Sequence, residues 1–425
     1  MTISRIRIAN FKSFADQTVE LNDFNLLVGA NASGKSNFVQ AFKFLSDIAT
    51  HGLEDAISLQ GGVEYLRNVK IGNAQPLCFH LAVKDDSLST RKSGWPLIIH
   101  SFEYEFSLRL NSQGVGFSIE HDRLTLRCSR EEVVNAEERE SQMALAEENA
   151  NYASQSTVEI FNSAGEVRTQ LASSESGPLL SPAENDVLNS FRIPPLSDKT
   201  LLLESPFVRL FAEPVCNWFR AIGLYNFDPD KAKSVVPVAG RSELETDGSN
   251  LAVVLKNLLR DEDTRRSLRN LCRYNLSYLE ELGVEEMADR FITLKVRETF
   301  FGASDLPANL ISDGTANIIA LVVALFFQKQ KRFAIFEEPD MYLHPKVLSG
   351  LMELFKEVSE KRQILVTTHS SNIVKYAAAE NILFVSRNRE GFSRIARPAD
   401  SEQVRIFLAH DLGIDDLFID DLLGV

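Results

Sequence analysis

Cysteine is scarce in this 425-residue chain, and the four present, Cys78, Cys128, Cys216 and Cys272, are scattered without a C-x-x-C pair. That spacing argues against a disulfide framework and against zinc, and it fits a reducing cytosol. No apolar run reaches membrane-spanning length, and the opening residues read as a charged strand, not a signal peptide. A cytoplasmic chain with no membrane partner is expected. Basic charge is short as well: 45 Lys and Arg stand against 59 Asp and Glu, for a net charge of −14. This disfavours indiscriminate binding to nucleic-acid phosphates, whose affinity comes largely from released counterions. Local basic clusters exist at Arg265, Arg266, Arg269 and Arg273, and at Lys329, Lys331 and Arg332. Interspersed acids make the first cluster a solvated helix face, and no aromatic residues interleave to form a base-stacking platform. The seven histidines are dispersed, with no H-N-H or other metal-nuclease cluster. With 44% apolar residues the chain can bury a large core and hold one composite domain plus insertions.

Against these absences stands one dense local signal. Residues 24–28, Phe-Asn-Leu-Leu-Val, read as a buried strand and run into Gly29-Ala-Asn31-Ala-Ser-Gly34-Lys35-Ser36-Asn37, followed by Phe38, Phe42 and Leu45 at helical spacing. Strand, G-x-x-x-x-G-K-S and amphipathic helix together form a phosphate-binding loop in its required context. Gly29 and Gly34 let the backbone turn tightly and approach phosphates, Lys35 reaches the β/γ oxygens, and Ser36 ligates Mg²⁺. The pattern predicts a nucleoside triphosphate site.

Three later segments have the composition of its other parts. Residues 332–340, Arg-Phe-Ala-Ile-Phe-Glu337-Glu338-Pro-Asp, form an apolar run ending in two carboxylates, as a buried parallel strand would deliver acids to the carboxyl edge of a sheet. Glu337 is expected to hold the Mg²⁺ shell and Glu338 to polarise the attacking water. Residues 363–370 repeat the form and end in His369, which as a neutral imidazole can meet the γ-phosphate or the water. Ser312-Asp313-Gly314-Thr315 precedes the apolar stretch 318–327, so its free N–H groups would favour an anion. Taken alone, this last segment is only a turn and an N-cap.

In this order and spacing the four elements resemble the ABC-type ATPase heads of the SMC/RecF/OLD group, and most closely their compact stand-alone prokaryotic members. The opening Ile3-Ser-Arg-Ile-Arg-Ile-Ala-Asn10-Phe11-Lys12-Ser13-Phe14 resembles the first strand and loop of those heads, and 337–345 resembles Walker B with its D-loop. By resemblance, Gly29, Asn31, Gly34, Lys35, Ser36 and Asn37, with Lys12, bind ATP, and Ser36 and Glu337 hold Mg²⁺. Glu338 and His369 are catalytic, and Ser312, Asp313, Gly314 and Thr315 form the signature that completes the site of a second subunit. A homodimer or higher oligomer is implied. The signature departs from the transporter Ser-Gly-Gly-Gln, and an acidic Asp313 near the γ-phosphate suggests slow or conditional hydrolysis. Asn317 stands where relatives often carry a basic residue. Gln60 is a candidate Q-loop glutamine, although Gly61-Gly62 reads more simply as a turn.

The expected fold class is α/β: an ABC/RecF-type P-loop NTPase head with a mixed central sheet, an antiparallel β-subdomain and a helical insertion. Residues 1–75 and 291–425 would form the ATPase core and 76–130 the β-subdomain, where 102–110 alternates strictly and sends Glu103, Glu105 and Arg109 to solvent. Residues 131–206 form an insertion for docking or sensing, or a surface excursion. It contains an acidic helix over 131–151, a hairpin over 157–168 and a Ser-rich loop over 172–186. Residues 207–290 read as mainly helical through Met287, with 291–299 a strand returning to the sheet. The acidic end, 411–423, is apolar on one side and is expected to pack on the head.

Nothing in the sequence suits a long coiled-coil arm, and the tail after His369 is too short for a Toprim nuclease. The resemblance therefore implies a regulator: an ATP-driven switch in antiviral defence that controls a separately encoded nuclease or toxin. The alternatives are a RecF-like repair ATPase that binds DNA and, with poor support, a transporter ATPase.

Overall fold

A computed structural model describes residues 2–84, 88–89, 97–111, 116–130, 156–163, 165–172, 179, 194–287 and 290–398. The expected acidic helix 131–151, most of the Ser-rich loop 172–186 and the acidic end 411–423 lie outside them. Two compact units are present, one made of Met1–Leu21 and Gln40–Arg220, the other of Asn22–Val39 and Ala221–Val425.

The first unit holds an eight-stranded sheet: β1 (Thr2–Phe11), β2 (Phe14–Glu20), β4 (Leu77–Lys84), β5 (Leu88–Ser89), β6 (Leu97–Leu110), β7 (Phe117–Arg130), β8 (Ser156–Ser163) and β9 (Glu166–Ala172). Its order is β2-β1-β4-β6-β7-β8-β9, with β5 on β6, and every pairing is antiparallel. The alternation read in β6 is the cause of its placement. Phe102, Tyr104, Phe106 and Leu108 are buried, and Phe106 stacks on Phe79 of β4 at 5.3 Å. On the other face Glu103 meets His80 and Glu105 meets His121. The opening strand, grouped above with the ATPase core, belongs to this sheet: the alternate residues Ile6 and Ile8 of β1 are buried, and the strand pairs along β4. The hairpin read over 157–168 is β8–β9.

The second unit is built on six strands: β3 (Phe24–Val28), β10 (Ile222–Tyr225), β15 (Phe333–Glu337), β16 (Gln363–Thr368), β17 (Ile382–Arg387) and β18 (Ser393–Ala396), ordered β10-β15-β16-β3-β17-β18. The first five run parallel and β18 is antiparallel to β17. β3 and β16 are buried at every residue, as strands covered on both faces must be. Leu26, Phe336 and Val366 pack in one core with Leu351 and Phe355 of the helix Pro345–Ser359 and Ile318 and Leu321 of the helix Asp313–Val322. Each such side chain contributes about 1.5–3 kcal/mol when fully removed from water. Parallel order brings the carboxyl ends of β3, β15 and β16 to one edge, where ligands bind in such sheets.

Two sequence readings are corrected in this unit. Helical sequence does not continue through Met287: the helix Glu262–Asn275 ends, and β12 (Leu279–Met287) follows. β13 (Phe291–Glu298) does not return to the six-stranded sheet. It pairs with β12, β11 (Val236–Pro237) and β14 (Asp305–Pro307) in a separate four-stranded antiparallel sheet. Cross-strand pairing decides the matter, because Leu279 and Leu282 of β12 are buried with Leu294 and Val296 of β13, and this overrides the helix preference of the glutamates.

Candidate nucleotide site

At the carboxyl edge of β3 the chain turns through 29–34 into the helix Lys35–His51. Gly34 adopts φ 124° and Ala32 φ 62°, left-handed conformations that reverse the backbone. A Cβ on Gly29 would lie 2.4 Å from the Val385 carbonyl oxygen of β17, so only glycine fits between strand and loop. Two side chains from the far edge brace the loop. Arg387 donates to the Ala32 carbonyl (2.7 Å) and the Ser393 hydroxyl donates to the Ser33 carbonyl (2.5 Å). Asn31 is exposed on the loop, and Asn37 is half-buried at the helix start.

Lys35 is buried, and its Nζ donates to the carbonyls of Gly29 (2.7 Å) and Ala30 (3.2 Å) and lies 3.8 Å from Glu338 Oε1. Burial lowers its pKa, an effect the carboxylates of Glu338 and Asp340 oppose. Ser36 bonds to Glu337, whose carboxyl is raised by burial, lowered by that hydroxyl and raised again by Glu338. The next residue, Glu338, sits at φ 46°, a costly backbone for a side chain this long. Its N–H donates to the Thr367 carbonyl of β16 (3.0 Å), and its Oε2 lies 2.6 Å from His369 Nδ1. The turn aims one carboxylate between the loop lysine and the histidine, which residues 303 and 334 positions apart bring to a single point.

Several participants have no sequence signal of their own. Asp340 accepts from the Thr368 hydroxyl (2.9 Å), its Oδ1 is buried without a partner, and burial raises its carboxyl above the usual range. Its place two residues after Glu338 was the one available hint. Ser312 caps the helix Asp313–Val322, its hydroxyl accepting from the Thr315 N–H (3.1 Å). Tyr278, in the turn just before β12, bonds to the Thr315 hydroxyl (2.9 Å). Asp313 is held by Lys233, so the free acidic charge expected there is compensated by a cation 80 positions earlier. A Cβ on Gly314 would stand 2.8 Å from the Tyr342 carbonyl. Asn317, which stands where relatives often carry a basic residue, is buried and donates to the carbonyls of Pro339 (3.1 Å) and Met341 (3.0 Å), tying this helix to the loop after Glu338.

Lys12 belongs to the first unit. It has φ 46°, its N–H donates to the Leu66 carbonyl (2.7 Å), and burial lowers its pKa. Gln60 ends a short helix beside Gly61 and Gly62, both at positive φ, in the turn geometry expected of that pair. Three of the four clustered arginines are paired with acids: Arg265 and Arg269 both bond to Glu281, and Arg266 pairs with Asp263, while Arg273 is exposed. No helix among the described residues is long and apolar enough to cross a membrane.

Two family models match the chain. Residues 1–176 match "AAA ATPase domain", and residues 226–375 match "AAA domain, putative AbiEii toxin, Type IV TA system". An uncharacterised protein of Methanocaldococcus jannaschii is 30% identical over 92 residues, which are 21% of this chain and 24% of that protein. The DNA replication and repair protein RecF of Corynebacterium jeikeium is 26% identical over 88 residues, 20% of this chain and 21% of that protein. These matches thus span about a quarter or less of the relatives' length. Among solved structures, the SMC head domain from Thermotoga maritima is similar at 13% identity and a TM-score of 0.45, covering 93% of this chain and 99% of that one. An Smc head bound to the C-winged helix domain of ScpA is similar at 15% identity and a TM-score of 0.48, covering 93% and 98%.

Proposed function

We infer that the chain is an ATPase head, a reading supported by the two partial AAA family-model matches, the local likeness to RecF and the convergence of strand ends at one sheet edge. We propose that it binds and hydrolyses Mg-ATP in a nucleotide-sandwiched dimer, and that this cycle switches a separately encoded nuclease or toxin in antiviral defence. The observation that carries the catalytic part is the convergence of Lys35, Glu338 and His369 within hydrogen-bonding and ion-pair distance.

The oxygen donors Ser36 and Glu337 suit a hard cation, and the buried Oδ1 of nearby Asp340, whose charge interacts with those of Lys35 and Glu338, has no hydrogen-bond partner. Among the described residues no group of three His, Cys, Asp or Glu could hold a metal ion by itself. Mg²⁺ takes one or two protein ligands and completes its shell with phosphate and water. Ser36 and Glu337 would hold it, and it would neutralise charge on the β- and γ-phosphates. The remaining work falls to the chain. N–H groups of 29–36 cradle the β-phosphate, and Lys35 leaves its loop carbonyls for the phosphate oxygens. Glu338 accepts a proton from the water that attacks the γ-phosphorus as the bridging P–O bond breaks and ADP departs with the electron pair. His369 holds Glu338 in position. Ser312, Asp313, Gly314 and Thr315, with Lys233 compensating Asp313, would complete the partner's site.

The defence reading is supported by the toxin–antitoxin description of one matched model and by the resemblance to stand-alone heads. A RecF-like role with DNA is the second reading, favoured by the local likeness to RecF and disfavoured by the net charge of −14 and by the pairing of Arg265, Arg266 and Arg269 with acids. The test is phosphate release and particle mass with Mg-ATP. Lys35→Ala should abolish nucleotide binding, and Glu338→Gln should keep binding, lose roughly 100-fold or more of turnover and accumulate dimers. A wild-type chain that neither binds ATP nor changes mass would overturn the proposal. Stimulation of turnover by DNA, with no nuclease or toxin co-purifying from the native host, would move the reading to repair.

A further inference from the structure

The helix Asp313–Val322 begins at a chain of hydroxyls that its own segment does not complete. The Ser312 hydroxyl lies 2.8 Å from the Thr315 hydroxyl, which in turn lies 2.9 Å from the hydroxyl of Tyr278, 37 positions earlier. Tyr278 is firmly held. Its ring packs against the core and stands 5.7 Å from the ring of Phe300, and its carbonyl accepts the Thr299 N–H (2.9 Å). Thr315 is buried and Ser312 is exposed. The chain therefore runs from a fixed ring, through the interior, to a hydroxyl at the surface.

Each hydroxyl has one proton to donate and two lone pairs. If Tyr278 and Ser312 both donated to Thr315, the buried Thr315 proton would have no acceptor among the described residues, which is costly. Two directions remain. A phenol is more acidic than an aliphatic alcohol, so it donates more readily and accepts less readily, which favours the order Tyr278 to Thr315 to Ser312. The Ser312 oxygen, already accepting the Thr315 N–H (3.1 Å), then takes the Thr315 proton as well. Its own proton is left without an acceptor among the described residues, since Asp313, the adjacent carboxylate, is engaged by Lys233. Bonds in line polarise one another, and the free N–H groups of the helix start favour an anion at the same place. The opposite direction would spend the Ser312 proton inside the molecule. We propose that Tyr278 is a positioning residue: by fixing the direction of this chain it makes Ser312 a donor to the terminal phosphate of a nucleotide held by a second copy of the protein. The proposal rests on the nucleotide-sandwiched dimer of the proposed function and adds to it a residue from outside the signature.

The test is a double-mutant cycle in the full chain carrying Glu338→Gln, where Mg-ATP should hold the dimer without turnover, read as the dimer dissociation constant by sedimentation. Ser312→Ala removes two phosphate bonds per dimer and should raise that constant roughly 100-fold. Tyr278→Phe keeps the ring in place, frees the remaining hydroxyl pair to reverse, and should raise it roughly tenfold. In the Ser312→Ala chain the same Tyr278→Phe change should add less than about twofold, because its effect passes through Ser312. A tyrosine that only supports the fold would instead give additive losses. Thr315→Val cuts the chain at its middle with the ring untouched, and should match the roughly tenfold loss of Tyr278→Phe. Additive losses, or Tyr278→Phe and Thr315→Val dimers as tight as their parent, would overturn the proposal and leave the sandwiched dimer standing. A parent chain that stays monomeric with Mg-ATP would overturn the sandwiched dimer, and the proposal with it.

Discussion

Replacing Asn317 tests whether the helix that begins at Ser312 is fastened to the loop after Glu338 by hydrogen bonds. Its amide donates to two carbonyls, Pro339 at 3.1 Å and Met341 at 3.0 Å. Asn317→Ala deletes both bonds, each worth about 1 kcal/mol net, and strands the carbonyl of buried Pro339 at a further cost of about 1–2 kcal/mol. The loss is therefore about 3–4 kcal/mol, or roughly 6–16 °C in the unfolding midpoint of a domain of 150–250 residues. Asn317→Asp is the sharper probe, because it keeps the shape and turns two donors toward acceptors. At pH 7 the carboxylate would face carbonyl oxygens in a buried site, so its folded-state pKa should rise above the ordinary value of about 3.9. A raised folded pKa means the native state holds the proton more tightly. The aspartate variant should therefore be least stable at neutral pH, and part of its deficit should be recovered as the pH falls toward 4, while the alanine variant shows no such dependence beyond the wild type. The assay is a thermal melt of both variants and wild type at a series of pH values. An aspartate variant as stable as wild type at pH 7 would refute the donor assignment. A deficit independent of pH would refute the electrostatic reasoning.

Other expected outcomes follow from single contacts. Gly314→Ala brings a methyl against the Tyr342 carbonyl at 2.8 Å and should cost about 1–3 kcal/mol by displacing that loop, read as a lower melting midpoint and reduced turnover. Burial holds the Glu337 carboxyl above its ordinary pKa, so Mg²⁺ affinity should fall as the pH drops into a range where exposed glutamates stay ionised, measurable by titration calorimetry. The same shift acts oppositely on the metal-free protein: the contribution of Glu337 to stability is fully present below the unfolded pKa and is lost as the pH rises through the folded one. Asp122, buried in the first unit, accepts the Leu202 N–H (2.6 Å), and burial pushes its carboxyl up to about 8. Wild-type stability should therefore decline between about pH 4 and pH 8 on its account. Asp122→Asn, with its oxygen on the Leu202 N–H, should remove that decline and raise the melting midpoint most at pH 8 and above.

The sequence by itself determined the parts of the site that one short segment can encode. The strand, glycine turn and helix of the candidate phosphate loop were legible because 24–38 contains the strand, the glycines, the lysine and the helix start within one continuous stretch, so local backbone geometry leaves few alternatives. The placement of Glu337, Glu338 and His369 at one sheet edge was legible for the same reason: each follows a short strand with an apolar centre, Phe333–Phe336 or Ile364–Val366, of the kind buried in the middle of a parallel sheet. β6 was legible from strict alternation. Tertiary structure alone decided which residues act on one another across long separations. Lys233 compensates Asp313, Asn317 anchors the loop at 339–341, Arg387 braces Ala32, and Glu338 turns through a left-handed backbone to meet both Lys35 and His369. Nothing in the neighbouring sequence signals such pairings, because they depend on distances between distant segments and not on local propensity. The β12–β13 hairpin failed as a sequence reading on the same ground: residues 279–287 have helix-forming glutamates, and only the apolar face of the strand beside them made a strand of lower free energy.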